Sequence, residues 1–390
     1  MRVAIFTDTY TPDINGVALT LNKWVKYLEQ HEHEVIVFAP EGKEQLSNEE
    51  RIKRYKSFPF VLYPELQAAF PNPINIDKQI SQFQPDIIHV ATPFNLGLFG
   101  RRYAVKNEIP FVASYHTNLD QYLKSYKLNW AKALLNQYLF WFHQECQAVY
   151  APSKQTANHL KQQAYPQVKV WPRGVNHQVF EPPQSKDSVK RLVAEKYDLS
   201  DKKINILYVG RLATEKSIMI LIDSIKELPM SLRLKVQVLI VGDGPIRSEL
   251  QAEISKHRLP IHLLGFLEGD DLSQIYQAGD LFFFPSSTET FGNVVLEALS
   301  TGLPVIGANA GGVKELVVSS HNGILCPPED TDSFVEALVF LLSSPSVRKY
   351  YGNNARDYAL KFSWNNIFDN FATSLGTIVK ACEQEKLEVM

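Results

Sequence analysis

Short, almost uninterrupted apolar runs recur along this chain, and longer stretches with apolar positions at helical spacing lie between many of them. In the first half the runs are Val3–Phe6, Val35–Ala39, Asp86–Val90, Phe111–Tyr115, Val149–Ala151 and Val168–Trp171, with helix-period segments such as Leu19–Leu28 between several. A run without polar alternation predicts a strand covered on both faces, hence a parallel strand reached by helical crossovers. The second half repeats the pattern with Ile204–Val209, Val236–Val241, Ile261–Leu264, Leu281–Phe284 and Pro304–Gly307. This alternation predicts an α/β protein of two Rossmann-like, doubly wound domains facing each other across a cleft. The prolines and polar residues of Glu181–Ser188 (EPPQSKDS) mark a break, giving domains of 1–183 and 184–362. A last helix, from about Ser363 to Glu385, is expected to pack back across the first domain. Ligands of such sheets bind outside the carboxyl ends of the strands, so the loops after the strands are where chemistry is sought.

Composition narrows the class without naming it. A length of 390 residues exceeds one ordinary core, in keeping with two domains, and 45% apolar and 21% charged residues with formal charge −2 describe an ordinary globular protein. Nothing in that balance points to nucleic acid. Residues 1–183 carry 19 basic and 16 acidic side chains, net +3, and the remainder 21 and 26, net −5. Cys146, Cys326 and Cys382 lie far apart without metal-ligand spacing, which predicts a reducing compartment. The chain opens on a strand rather than a signal peptide, and no apolar run reaches the length of a membrane span. The expectation is cytoplasm, with peripheral attachment to the cytoplasmic face of a membrane left open.

The richest stretch is Ser286–Thr301, SSTETFGNVVLEALST, after the strand Leu281–Phe284. Glu289 falls in a loop, and Glu297 falls on a helix predicted to start near Phe291. The amides of Phe291, Gly292 and Asn293 then form a helix N-terminus, a seat for an anion. Loop carboxylate, amides and helix carboxylate together suit a polyhydroxylated, phosphorylated ligand. Read alone, the same residues also fit a capping Glu289 and a solvated Glu297.

Other loops add candidates. YVGRLATEKS places Arg211 and Lys216 after a buried strand, where the two cations either clamp a diphosphate or form a surface pair with Glu215 as counter-charge. Gly16, after the first strand, permits close backbone approach or serves a turn, and Gly242 and Gly244 in GDGP repeat the choice. His116 in SYHT stands at a strand's carboxyl end, as a ligand-facing group or a structural histidine. The one D-x-D, Asp330–Asp332, reads as a helix cap, and His31 and His33 as a polar turn. No GxGxxG, P-loop or GxSxG is present.

Taken together, NGV after the first strand, SYHT, VGRL…EKS, GDGP and ETFGNVVLEA resemble the retaining, nucleotide-sugar-dependent glycosyltransferases of family 4, with the GT-B fold. The likeness spans nearly the whole chain and is most specific in the second half. PDIIH…TP, SFP and SYHT resemble the glycolipid branch, whose members transfer sulfoquinovose, glucose or mannose to diacylglycerol-type lipids. The resemblance implies that Arg211 and Lys216 bind the donor diphosphate, Glu289 the sugar hydroxyls and Glu297 the ribose. It implies further that the amides of Phe291, Gly292 and Asn293 hold sugar and phosphates, with Gly242 beside them. Leu267 would meet the base through its backbone. Gly16 would approach the diphosphate and His116 the transferred sugar, with Asn15 and Thr117 on the acceptor side. It implies a nucleotide-sugar donor and no metal cofactor; the residues do not fix the base, and a UDP-sugar is favoured with GDP-sugars kept open.

The acceptor rests on weaker residues. RYKSFPFVLYPELQAAF (54–70) and YLKSYKLNWAKALLNQYLFWFH (122–143) mix aromatic and basic side chains, as a membrane interface does and as a domain core also can. The competing readings are the same transfer to a polysaccharide or small acceptor, a sugar-nucleotide epimerase, and a two-lobed sugar-binding protein.

Overall fold

A computed structural model describes residues 1–13, 15–41, 50–60, 63–115 and 132–389. It divides into unit 1, Met1–Arg173 with Asn365–Met390, and unit 2, Gly174–Trp364. Glu181–Ser188 lies inside unit 2 rather than at the division. The preceding residues are already bonded to unit 2 helices: Ser273 Oγ donates to the Val179 carbonyl, and Arg356 donates to the Phe180 carbonyl at 3.1 Å.

Unit 1 is built on seven parallel strands: β1 (Arg2–Phe6), β2 (Glu34–Pro40), β3 (Ile52–Tyr55), β6 (Ile87–Val90), β7 (Phe111–Ser114), β8 (Ala148–Ala151) and β9 (Val168–Val170). Strands β4 (Ser57–Phe60) and β5 (Tyr63–Ala69) form a separate antiparallel pair. The spatial order is β3-β2-β1-β6-β7-β8-β9. The chain therefore moves outward from β1 and returns to β1's other side, which makes the β1/β6 seam the place where loops diverge. The apolar runs are buried as their patterning requires, with the rings of Phe6 and Phe38 stacked 4.4 Å apart across β1 and β2. Strand β3, IKRY, escapes the apolar pattern because it is an edge strand with partly exposed side chains.

The C-terminal helix Trp364–Val389 belongs, from Asn365, to unit 1. Ile367, Phe368, Phe371, Leu375 and Ile378 are buried along one helical stripe. Phe371 stacks on Trp171 at 4.0 Å, Trp24 lies against Phe371 and Phe368, and Tyr150 bonds Ser374 at 2.7 Å. Each phenylalanine buried there contributes about 2 kcal/mol of transfer free energy to holding the helix on unit 1.

Unit 2 holds six parallel strands, β10 (Ile204–Val209), β11 (Val236–Val241), β12 (Ile261–Gly265), β13 (Leu281–Phe284), β14 (Val305–Ala308) and β15 (Gly323–Cys326). Their order is β12-β11-β10-β13-β14-β15, and the seam of divergence lies between β10 and β13. Leu281 to Phe284 are completely enclosed in the core of this unit. Cys146, Cys326 and Cys382 are free thiols. No helix among the described residues is long and apolar enough to cross a membrane.

Candidate active site

The β10/β13 seam gathers most of the residues singled out from the sequence. Ile206 pairs with Leu281 in register, so the loops leaving Val209 and Phe284 start side by side. Lys216 ends a short 3-10 turn, Thr214–Lys216, and its Nζ stands 2.6 Å from Glu289 Oε1, with 16 and 19% of the two side chains exposed. Ser286 Oγ donates to the same oxygen at 3.3 Å. Thr288 Oγ1 donates to the Glu215 carbonyl at 3.1 Å, and the Gly312 amide to the Glu289 carbonyl at 2.7 Å. The acid that pairs with Lys216 is thus Glu289, not its sequence neighbour Glu215, whose Oε1 is buried without a hydrogen-bond partner. Beneath them Tyr208 donates to the Arg211 carbonyl at 3.2 Å. Burial drives its phenol well above the ordinary range, and the carboxylates of Glu289 and Glu215 push the same way.

The helix Asn293–Ser300 starts at Gly292, whose φ of 99° is the left-handed region a side chain disfavours. No side chain caps it. The Gly292 carbonyl accepts from Val295 and Leu296, which leaves the amides ahead of Val295 outside the helical ladder. Such amides, with the helix dipole behind them, favour an anion. Glu297 lies further along the helix, and its Oε2 accepts from Tyr276 at 2.9 Å. Tyr276 is fully buried, and burial, then Glu297, lifts its phenol well above the ordinary range. Sequence reasoning missed Tyr276 because it occupies an apolar stripe position of the helix Gly269–Ala278, where an aromatic reads as core.

Gly242 stands at the end of β11, beside these loops. A Cβ there would lie 1.9 Å from the Gly210 carbonyl oxygen, so the close approach this glycine permits is to the neighbouring loop's backbone. Leu267 follows β12 at the sheet's outer edge and packs against the core of unit 2. The D-x-D is a cap, since Asp330 accepts from the Ser333 amide and from Ser333 Oγ, the latter at 2.6 Å. Among the described residues no three His, Cys, Asp or Glu side chains gather as a metal site requires.

At the β1/β6 seam of unit 1, Asn15 is the N-cap of the helix Gly16–Gln30. Its Oδ1 accepts from Val17 and Ala18 at 3.1 and 2.9 Å, and its Nδ2 donates to Thr9 Oγ1 at 2.7 Å. Its side chain therefore serves this loop, and Gly16 is the first residue of the helix. A residue that sequence reasoning passed over, Asp8, ties the seam together. Its Oδ2 accepts from Thr92 Oγ1 at 2.6 Å and its Oδ1 from the Leu96 amide at 2.8 Å, which caps the helix Asn95–Lys106 from a distance. Burial pushes its carboxyl up to about 6, opposed by the hydrogen bonds from Thr92 and from the amides of Leu96, Gly97 and Phe94. The available signal was an aspartate two residues past a strand's carboxyl end. His116 and Thr117 lie outside the described residues.

Two doubly wound parallel sheets, one with the Lys216–Glu289 pair at its seam, are the architecture of the class of protein that comparisons with known sequences show. Residues 14–179 match the family model described as Glycosyltransferase Family 4, and residues 189–358 the model described as Glycosyl transferases group 1. The chain belongs to the group 1 glycosyltransferases, with a family 4 N-terminal part and the GT-B fold. It is 30% identical over 377 residues to the GDP-mannose-dependent alpha-mannosyltransferase of Mycobacterium tuberculosis, covering 95% of this chain and 94% of that one. Sulfoquinovosyl transferase SQD2 of Arabidopsis thaliana is 29% identical over 372 residues, covering 93% and 71%. The alpha-monoglucosyldiacylglycerol synthase of Streptococcus pneumoniae is 29% identical over 355 residues, covering 87% and 78%. Among solved structures, Anabaena Alr3699/HepE in complex with UDP superposes with a TM-score of 0.78 at 20% identity, over 97% of this chain and all of that one.

Proposed function

We propose that this glycosyltransferase moves a sugar, with retention of anomeric configuration, from a nucleoside diphosphate-sugar to a diacylglycerol-type lipid. The observation that carries the reading is the β10/β13 seam, where Lys216 and Arg211 follow one strand while Glu289 and an uncapped helix N-terminus follow its neighbour. A nucleoside diphosphate leaves poorly until its charge is neutralised. Two cations and a set of backbone amides supply that neutralisation, so no divalent ion is required in this reading. Glu289 accepts from sugar hydroxyls and Glu297, held by Tyr276, from the ribose. The bond from the anomeric carbon to phosphate breaks, the acceptor oxygen bonds that carbon on the face just vacated, and the acceptor's proton passes to the departing phosphate. Gly16, Asn15, His116 and Thr117 are assigned to the sugar and acceptor side, and Leu267 to the base.

The lipid acceptor is supported by the diacylglycerol named for the Streptococcus relative and by exposed aromatics of unit 1. Phe58 and Phe70 are 68 and 65% exposed, with their rings 6.0 Å apart, and Ile74 is 80% exposed. Apolar groups displayed in this way, near Lys56, suit a membrane interface. A UDP-sugar is the first donor to test. GDP-mannose is the second, because relatives 30% identical over most of their length are named for it. A panel of UDP- and GDP-sugars offered with diacylglycerol, with products read by mass, tests the reading. A glycosyl-diacylglycerol supports it. Transfer only to water or to a soluble saccharide removes the lipid, and isomerised donor without transfer removes the transferase chemistry.

A further inference from the structure

Lys216, one of the two cations assigned to the diphosphate, is already paired. Its ammonium lies 2.6 Å from Glu289 Oε1, and both side chains are largely shielded from water. A diphosphate that approaches Lys216 therefore meets a carboxylate beside the charge it needs. Like charges so placed repel strongly in a partly buried setting. The carboxylate is also held in place. The Gly312 amide fixes the Glu289 carbonyl, Ser286 Oγ reaches the same Oε1 as Lys216, and Thr288 Oγ1 binds the Glu215 carbonyl on the Lys216 loop.

A sugar on the diphosphate changes this balance. Its hydroxyls donate to Glu289 and give the carboxylate new partners as Lys216 turns to phosphate. We infer that Glu289 is a specificity-determining residue, whose charge makes the site favour a nucleoside diphosphate bearing a sugar over the bare nucleoside diphosphate left after transfer. The inference rests on the reading in the preceding subsection. Once the sugar has gone, Glu289 has lost its hydroxyl donors and reclaims Lys216, which drives the product out of the site.

The test is calorimetric titration of the full chain with UDP, GDP and inorganic pyrophosphate, in the wild type and in Glu289→Gln, Glu289→Asp, Lys216→Met and the Glu289→Gln/Lys216→Met pair. Glu289→Gln is expected to bind pyrophosphate and the accepted nucleotide about tenfold more tightly than wild type while turning over more slowly. Glu289→Asp, which keeps the charge, stays near wild-type affinity, and the gain vanishes in the Lys216→Met background. Glu289→Gln binding these probes no better than wild type overturns the inference and leaves the transferase reading intact. A wild type that binds none of the three overturns the reading itself. A second measurement needs no variant: wild type binds UDP-glucose or GDP-mannose more tightly than the matching diphosphate, and the reverse order sinks the proposal.

Discussion

Tyr276 donates its hydroxyl to Glu297 Oε2 at 2.9 Å and thereby fixes a carboxylate of the helix Asn293–Ser300 from the helix Gly269–Ala278. The ring lies wholly inside the core, so the bond acts as a stay whose far end cannot drift. If Glu297 holds the ribose, its orientation matters more for donor binding than for bond breaking. Tyr276→Phe, which keeps the ring and removes the bond, is expected to raise KM for the donor about tenfold with kcat within about twofold. A fall in kcat at unchanged KM would move Glu297 into the chemical step.

Arg211 is assigned to the charge that develops on the leaving diphosphate. Arg211→Ala is expected to lower kcat about 10²-fold or more, as removal of a fixed transition-state charge does. Near-normal turnover in steady-state assays would take Arg211 out of the chemistry.

Asp8 gives stability a pH dependence of definite sign. Its folded pKa, about 6, lies above the ordinary 3.8, so the folded state holds the proton more tightly than the unfolded state. Stability contributed by this group is present below pH 4 and is lost as pH rises from about 4 to about 6, to a total on the order of 3 kcal/mol. In Asp8→Asn the slope across that window should flatten, measured as the difference in Tm between pH 4.5 and 7. An unchanged slope would show that Asp8 is not the group responsible.

Phe58 and Phe70 present a pair of exposed rings that make little core contact. The double replacement Phe58→Ser/Phe70→Ser is expected to reduce sedimentation with anionic vesicles about tenfold or more and to leave thermal unfolding nearly unchanged. Vesicle binding that ignores both this replacement and lipid charge would argue against a membrane role for the hairpin.

Both parallel sheets were legible because their strands are buried on two faces and so are apolar almost throughout. The elements that were missed obey other rules. Strand β3 (IKRY) lies at an edge and carries two adjacent charges, the β4/β5 pair stands apart from the main sheet, and β15 (GILC) offers only two large aliphatic residues between a glycine and a cysteine. The candidate site was legible where its residues follow strands in one order, as Arg211, Lys216, Glu289 and Glu297 do. It was not legible where a partner comes from far along the chain. Lys216 finds Glu289, 73 residues on, rather than Glu215 beside it, and Asp8 finds Leu96, 88 residues away. Asn15, placed on the acceptor side by the resemblance alone, is also the cap of its own helix, a local role its position just before Gly16 permits.

The return of Trp364–Val389 to unit 1 sets an order of assembly. Residues 174–364 form a contiguous unit, whereas the aromatic floor around Trp24 and Trp171 is roofed only when Phe368 and Phe371 arrive. On a ribosome the N-terminal strands emerge first and still wait, their tryptophans wet, until the whole of the later unit has been made. The part translated second is thus the part able to finish first, and a nascent chain halted just before the final helix would leave the Trp24 and Trp171 surface without its cover.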